Sequence, residues 1–422
     1  MKTLIPKNRL LAVAMALALP MTASAGNQAD DLKRQVEALQ KQLQAIQAQL
    51  DEQQKQTEAV KTEVKDVAKA STEWKDATSV VHLAGYGSVG YTDNENTDGR
   101  FSQVQFAPIF HYQYKDLMML ESELEISNNP DGETTTDMEY LSLDLILNDY
   151  AALVGGKFLS PVGQFRQNLH PSWINKLPSA PPGFGHDGAA PVSDTGLQMR
   201  GGFPLSSMRA NYAFYVSNGP ELQAVDENGD NLADDIESIL AEGRTRDIDG
   251  EKVWGGRFGL LPMDGLEIGV SFATGKALVT KVVDEGENDV TSSITNIGSE
   301  KNRDYDVFDM DFHWQVIGMD FRGEYVKSKV GSSSGSALSA AEWKTWYAQA
   351  SHVFSPTNFE GVLRYTDFNP PGVTKDQKQW AIGLNYLFAP NVIAKIAYEA
   401  NDGQTGSTAD DDSVLLQMAY GF

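Results

Sequence analysis

The sequence predicts an all-β transmembrane barrel of about sixteen antiparallel strands, preceded by an α-helical coiled coil. Three observations predict this fold class. The chain ends in a strand with strict period-two alternation, the gaps between strand-like segments alternate in length, and a heptad segment precedes the first strand. No one of these features is expected of a soluble sandwich, which does not need to sort its loops by length.

The last strand-like segment, 412–422, alternates apolar and other residues up to the end of the sequence. The apolar positions are Val414, Leu416, Met418, Tyr420 and Phe422. Successive side chains of a strand point to opposite faces, so these five residues share one face. A barrel needs such a strand to close against the first strand while its apolar face meets lipid.

Strand-like segments recur along residues 80–422, and the gaps between them are alternately short and long. The predicted strands are roughly 80–91, 101–115, 117–127, 138–148, 151–160, 193–203, 207–217, 252–261, 266–275, 304–314, 317–329, 342–354, 359–368, 376–388, 391–401 and 412–422. The long gaps include 92–100, 161–192 and 218–251. Bacterial barrels have tight periplasmic turns and longer outer loops, which this alternation matches.

The first 25 residues predict a secretory signal peptide. Lys2, Lys7 and Arg9 precede an apolar run over 10–19, and Ala-Ser-Ala at 23–25 offers a small-residue cleavage site. No later apolar run is long enough for a spanning helix, and the chain has no cysteine for a disulfide or a thiol nucleophile.

Residues 26–70 predict a coiled coil, and residues 71–79 link it to the strands. Its apolar residues recur at spacings of four and three: Leu32, Val36, Leu39, Leu43, Ile46 and Leu50. Leucine at position a beside isoleucine at position d favours three or four helices over two, which indicates a homo-oligomer. The alternative interpretation is one long solvated helix, but such a helix does not need a strict apolar seam.

Charge and motifs exclude several classes of protein. The net charge of −24 at pH 7 leaves no basic surface for nucleic acid. The six histidines show no HExxH or paired-ligand spacing, and neither a G-x-S-x-G motif nor a P-loop occurs. The sequence therefore predicts a protein that is not an enzyme.

With the strand pattern, the terminal Phe422 and the heptads in place, the chain resembles a family of trimeric outer-membrane porins with a periplasmic coiled coil. The phosphate-selective porin O/P-like and DcaP-like porins are similar, and segments 101–126 and 156–196 carry the likeness. The resemblance implies a homotrimer in the outer membrane of a Gram-negative bacterium, with the coil in the periplasm. It also implies passive diffusion of small hydrophilic solutes. The alternative from another class is a structural envelope tether with a plugged barrel.

Selectivity in such a barrel depends on what narrows the lumen. Loop 161–192 is rich in proline and glycine, and we expect it to fold inward, although an ordered cap over the mouth would suit the same composition. The predicted basic lumen residues are Lys157, Arg200, Arg209 and Arg257 on the strands, with Arg166 and Lys176 from the loop. The predicted acidic residues are Glu121, Glu123 and Glu125.

We expect the basic group to form a narrow zone and the acidic row to occupy another part of the lumen, which would favour anionic solutes. Ordinary lumen polarity is the alternative. The net charge favours cations instead, but charges outside the lumen are screened within about 8 Å at physiological salt.

The fourth long loop contains a run of oxygen ligands with the spacing of an EF-hand loop. Its predicted calcium ligands are Asp226, Asn228, Asp230, Leu232 (through its carbonyl), Asp234 and Glu237. Asn231 stands where the usual glycine is needed, and residues 232–242 could form a following helix. The alternative is a solvated acidic loop. No cofactor other than Ca²⁺ is predicted.

Overall fold

A computed structural model of the chain describes residues 79–129, 132–186, 188–371, 376–404 and 407–422. The chain divides into two units, Met1–Ala77 and Thr78–Phe422. In the first unit the structure describes only the following residues, which are helical and exposed: Gln40, Lys41, Gln44, Gln47, Lys55 and Lys61. The predicted signal peptide and the apolar seam of the predicted coiled coil lie outside the described residues. Within the described part of the chain, no helix has the length and apolarity needed to cross a membrane.

Sixteen strands of the described residues close into an antiparallel barrel, which confirms the predicted fold class. The barrel strands are β1 (Ser79–Asn94), β2 (Thr97–Tyr114), β3 (Met118–Asn128), β4 (Thr134–Asn148), β5 (Ala151–Leu159), β6 (Ser193–Leu205), β7 (Met208–Ser217), β10 (Val253–Met263), β11 (Leu266–Asp284), β12 (Arg303–Val316), β13 (Met319–Val330), β14 (Ala341–Val353), β15 (Phe359–Asn369), β16 (Gln377–Ala389), β17 (Val392–Asp402) and β18 (Ser413–Gly421). Two shorter strands, β8 (Glu221–Asp226) and β9 (Asp235–Leu240), lie between β7 and β10.

The barrel closes where β1 pairs with both β18 and β2, in a register that sets Tyr86 opposite Gly421 and opposite Ala107. Strand β7 pairs directly with β10, so the β8–β9 hairpin stands outside the barrel wall. We call the end that carries turns such as 115–117 and 149–150 the turn end. The opposite end, which carries the long connections, is the loop end.

The outer face of the wall is apolar, as a bilayer requires. The alternate residues Leu141, Leu143, Leu145 and Leu147 of β4 are exposed, and so are Trp380, Ile382, Leu384 and Phe388 of β16. Buried polar residues occupy the intervening positions, including Ser142 and Asp144 on β4. Period-two alternation thus separates a lipid-type surface from a polar interior.

The structure differs from the sequence-based expectation at the loop end. The first predicted long gap, 92–100, is a turn at residues 95–96, because β1 and β2 both continue beyond their predicted ends. Strand β11 also extends to Asp284, and its extension pairs in parallel with β8. Leu222, Ile236 and Val282 are buried there, in the same apolar cluster as Phe165 of loop 161–192 and Tyr347 of the wall.

Candidate functional site

Residues 160–192, between β5 and β6, pass through the inside of the barrel. At the start of this inner loop the backbone N–H groups of Gln164 and Phe165 donate to Glu324 Oε2, at 3.1 and 2.9 Å. Gly163 precedes them with φ +75°, and a Cβ there would lie 2.0 Å from Glu324 Oε1. Glycine is therefore required where the loop meets β13.

The middle of the inner loop is held by polar side chains of β15, β16 and β17. Arg364 donates to the carbonyl oxygen of Ser179 at 3.0 Å, and Lys395 donates to that of Leu177 at 3.3 Å. Lys176 of the loop donates to Glu360 Oε1 at 2.8 Å. The charge of Lys176 is thus paired with the β15 wall, and it does not face the cavities on the opposite side of the loop.

Apolar contacts complete this side. The rings of Phe165 and Phe184 pack against Tyr347 of β14, with centroids 6.2 and 5.1 Å away. Leu177 is fully buried and lies against Gly383, where a Cβ would come within 2.6 Å of it. Contacts of this density exclude water between the loop and strands β13–β17.

On the other side of the inner loop, three adjoining cavities follow the wall formed by β1–β7 and β10. A cavity of about 450 Å³ at the loop end contains Arg166, Glu125 and His186. A second, of about 280 Å³, shares His170 with it. A third, of about 530 Å³, shares Arg200 with the second and reaches turn 149–150 at the turn end. This series of cavities is the candidate functional site.

At the loop end the first cavity is lined by His186, which contacts both strand β4 and the connection between β9 and β10. His186 Nε2 lies 3.7 Å from Glu139 Oε1, and its Nδ1 lies 3.4 Å from Glu242 Oε1. The interaction with the Glu242 carboxylate raises the pKa of His186, and His186 in turn lowers the pKa of Glu242. The tip of the inner loop is therefore connected to the neighbouring loop through a titratable contact.

The acidic residues of β3 line the cavity at the loop end and the second cavity beside it. Tyr86 donates to Glu123 Oε1 at 2.8 Å, and His170 Nε2 lies 3.6 Å from the same oxygen. Arg200 donates to Glu121 Oε2 at 3.0 Å and also to Asp144. The predicted separation of a basic zone from the acidic row is therefore wrong, because β3, β4 and β6 are close enough for their charges to pair.

The third cavity, which reaches the turn end, is lined by Arg257. Its guanidinium forms two hydrogen bonds with Asp311, of 2.8 and 2.6 Å. It also donates to Glu267 Oε1 at 3.1 Å and to Asn211 Oδ1 at 3.0 Å. A planar guanidinium with four hydrogen bonds to three residues is held in one orientation. Arg257 therefore lines the turn end of the site as a fixed, paired charge.

Two predicted lumen residues lie elsewhere. Lys157 is the register partner of the exposed Leu141, so it shares the outer face, and it donates to the carbonyl oxygen of Met138 at 2.6 Å. The assignment failed because Val154 and Phe158, whose apolar character suggests lipid, are the buried inward residues of β5. Arg209 is exposed beside turn 206–207 and does not line the three cavities.

Several residues of the site were missed by sequence reasoning. Tyr86, His170 and Gln198 line the cavities together with Glu267. Strand alternation could place Tyr86, Gln198 and Glu267 on the inner face, but it could not place His170, which belongs to the inner loop. Nothing in the sequence shows which part of the inner face stays clear of the loop.

The acidic run lies in the turn between β8 and β9. Carboxylate oxygens of Asp226, Asp230 and Asp234 lie within 4.8 Å of one another. Asn231 has φ +63°, as its place in the predicted loop requires. Glu237 lies on β9 and accepts a hydrogen bond from Gln223 at 3.1 Å. The expected helix over 232–242 is wrong, because this segment forms strand β9 and packs against β8.

The remaining predicted calcium ligands are at the tip of this turn. Asn228 accepts a hydrogen bond from the backbone of Asp230 at 3.1 Å, and Leu232 donates its own N–H to Asp230 Oδ1 at 3.0 Å. The acidic run is thus flanked by two strands, whereas an EF-hand loop is flanked by two helices.

The barrel is similar in fold to several solved barrels. The chain is similar to a loop-deletion form of OmpT, an outer membrane protein of Vibrio cholerae, with a TM-score of 0.53 and 11% identity, covering 82% of this chain and 100% of that one. It is also similar to an anion-selective porin from Comamonas acidovorans (TM-score 0.52, 12% identity, 82% and 100% covered). The outer membrane channel DcaP of Acinetobacter baumannii gives a TM-score of 0.50 and 12% identity, with 82% and 99% covered.

Identities this low show a shared fold. No protein-family model and no curated protein matches the sequence.

Proposed function

We propose that this protein is an outer-membrane porin, a passive diffusion channel for small hydrophilic solutes. The observation that carries the proposal is the series of three polar cavities between the inner loop and the β1–β7 wall, which runs from the loop end to the turn end. The apolar outer face and the porin-like barrel support it. A tether with a plugged barrel does not need a polar route beside its plug.

We propose further that anionic solutes are favoured. Among the described residues that line the cavities, three buried nitrogen atoms have no hydrogen-bond partner: Arg166 Nε, His170 Nε2 and Gln198 Nε2. Buried polar atoms are normally paired, and the N–H donors of Arg166 and Gln198 suit the oxygen atoms of a passing carboxylate or phosphate, whereas His170 Nε2 faces Glu123. Of the acidic residues nearby, Glu121 is engaged by Arg200, Glu123 by Tyr86 and Glu125 by Ser127.

The experiment is conductance and reversal potential of the purified protein in a planar bilayer under a salt gradient. We expect open steps and a reversal potential of the anion-selective sign. Replacing Arg166 by Ala should move that potential toward cations, whereas Lys378→Ala, at an exposed position on the same outer face of β16 as Trp380 and Ile382, should leave it unchanged. A silent bilayer would support the tether, and cation selectivity that R166A does not alter would contradict the choice of solute.

The homotrimer and its periplasmic coiled coil belong to the same proposal. Burying apolar residues of a heptad seam contributes roughly 1.5–3 kcal/mol for each large side chain. Deleting residues 28–70 should leave a folded barrel whose oligomer dissociates at a lower temperature on a gel. Steps in multiples of three would support the trimer, and unchanged heat resistance would show that the barrel walls alone hold it.

Calcium binding by the β8–β9 turn stays a prediction. Three converging carboxylates suit a hard cation that prefers oxygen ligands. Calorimetry should detect calcium uptake that Asp226→Ala removes. Glu227→Ala is the matched control, because this exposed neighbour lies outside the converging group. Absence of uptake by the wild type would end the idea.

A further inference from the structure

Two histidines that are distant in sequence face each other on the turn-end part of the first hairpin. His82 of β1 and His111 of β2 are direct register partners. His82 has the strand phase of Tyr86, which points inward to Glu123, so the pair lies on the inner side. The site lies beyond the three cavities, and none of the preceding proposals uses it.

The two imidazole rings are arranged nitrogen to nitrogen. His82 Nδ1 lies 3.4 Å from His111 Nδ1, the ring centroids are 5.7 Å apart, and the ring planes differ by 3°. These values place the rings in nearly one plane with the two Nδ1 atoms facing. Two N–H groups in this position would repel each other, and so would two lone pairs. Two arrangements are favourable: an N–H group of one ring facing the lone pair of the other, or a metal ion bound by the lone pairs of both nitrogens.

The carboxylate of Glu121 favours the tautomer of His111 that a metal ion needs. Its Oε1 lies 3.6 Å from His111 Nε2, on the side of the ring opposite His82. A carboxylate in that position stabilises the tautomer with the proton on Nε2, which leaves Nδ1 free to act as a ligand. Glu121 is itself oriented by Arg200 through its other oxygen. The pair therefore has the outer partner that metal-binding histidines usually have.

The spacing suits a tetrahedral divalent ion. Zn–N bonds of about 2.0–2.1 Å place two nitrogen ligands of a tetrahedron roughly 3.4 Å apart. The nitrogens already have this separation, so each ring needs only to tilt until both lone pairs point to one centre. Both side chains are accessible enough for that tilt, His82 being exposed and His111 partly so. Water molecules would supply the remaining ligands.

We propose that His82 and His111 form a binding site for a divalent transition-metal ion, Zn²⁺ or an ion of similar ligand preference, at the turn-end rim of the barrel. The ion would connect β1 to β2 where β1 loses its other neighbour. The backbone of Gly85 exchanges hydrogen bonds with Phe422, the last residue of the chain, and the described residues of β1 before Gly85 pair with β2 alone. A metal ion at this point would link β1 to β2 in a segment where β1 has only one neighbouring strand.

The test is calorimetric titration of the full chain in detergent with ZnCl₂, in the presence of excess Ca²⁺ to occupy the acidic β8–β9 turn. We expect one Zn²⁺ per chain. His82→Ala and His111→Ala should each weaken the Zn²⁺ affinity at least tenfold, and Glu121→Gln should weaken it by about tenfold, the lower end of the effect of losing an outer partner.

His352→Ala is the matched control. His352 also lies at the turn end, but its Nδ1 is engaged by the carbonyl oxygen of Gly318 at 2.8 Å. This variant should bind Zn²⁺ as the wild type does. His82→Gln provides a second variant of similar size if the alanine variant folds poorly.

Co²⁺ gives an independent reading, because a tetrahedral Co²⁺ site with nitrogen ligands has a visible absorption band that H82A and H111A should abolish. No Zn²⁺ uptake by the wild type, or the same uptake in H82A and H111A, would overturn the proposal. The measurement needs no channel activity, so its failure is distinct from failure of the proposed function.

Discussion

The two sides of the barrel interior carry similar residues and use them differently. Along β13–β17, charged side chains bind the backbone of the inner loop, as Arg364 does at Ser179 and Glu324 at Phe165. Along β1–β7 and β10, charged side chains bind one another across cavities, as Arg200 does with Glu121. A charged residue of the inner face therefore attaches the loop on one side and lines a cavity on the other.

This difference shows that a charged residue on the inner face does not necessarily line a cavity. Arg364 and Lys176 are as cationic as Arg200, but their partners are Ser179 and Glu360 on the packed side. A charged group lines a cavity only where the inner loop does not cover it. The side that the loop covers decides this for each residue.

The largest expected effect is at the start of the inner loop. Gly163→Ala places a Cβ 2.0 Å from Glu324 Oε1 at a φ of +75°, so the loop must leave its attachment to β13 or adopt a strained backbone. We expect a loss of about 1–3 kcal/mol in stability and a larger or noisier single-channel conductance. Thermal unfolding followed by circular dichroism and bilayer recordings measure the two effects.

Gly185→Ala is the control for that experiment, because a Cβ at Gly185 meets no atom within 4 Å. It should leave stability and conductance as they are. If G163A behaves like G185A, the attachment of the loop to Glu324 does not hold the packed side together.

A smaller effect separates the two sides directly. Arg364 is 1% exposed and donates to Ser179 O and Gln379 Oε1 at 3.0 Å each. Arg364→Ala should cost about 3 kcal/mol, since it leaves buried partners unpaired. Arg200→Ala should cost less than that, because the Arg200 side chain is 41% exposed, but it leaves the buried Asp144 without this partner and should change ion selectivity.

Unfolding midpoints and reversal potentials of the two variants give this comparison, and Lys378→Ala, at an exposed position of β16, is the surface control. Equal losses of stability in R364A and R200A would show that the two sides are equally packed, and would contradict the difference between the β13–β17 side and the β1–β7 side.

The smallest expected effect concerns pH at the loop end of the open side. The interaction with Glu242 raises the pKa of His186, so the protonated imidazole is favoured in the folded protein. The contact is present at low pH and is lost as pH rises through that raised pKa, above the usual value of about 6.5. An exposed pair of this kind contributes within about 1 kcal/mol.

Single-channel noise of the wild type should therefore increase between about pH 6 and about pH 8. His186→Ala should show the noisier behaviour at both values, and His352→Ala, at the opposite end, should respond as the wild type does. A pH response that H186A retains would place the titrating group elsewhere.

The coarse design of the molecule could be predicted from the sequence because strand alternation is a local property. A period of two separates an apolar from a polar face wherever lipid or solvent lies outside, and turn residues mark the strand ends. This reasoning located the sixteen strands, and the proline and glycine content singled out loop 161–192. It failed on β5, where Val154 and Phe158 point to an apolar interior and Lys157 points outward.

The sequence by itself determined the barrel, its polar interior and the segments from which the site is built. The tertiary structure alone decided which wall the inner loop covers, and therefore which charges stay beside a cavity. It also brought Arg200 to Glu121 and His82 to His111, across 79 and 29 residues of sequence. The physical reason is that pairing in a closed sheet depends on register and strand tilt, which belong to the whole barrel and to no single segment.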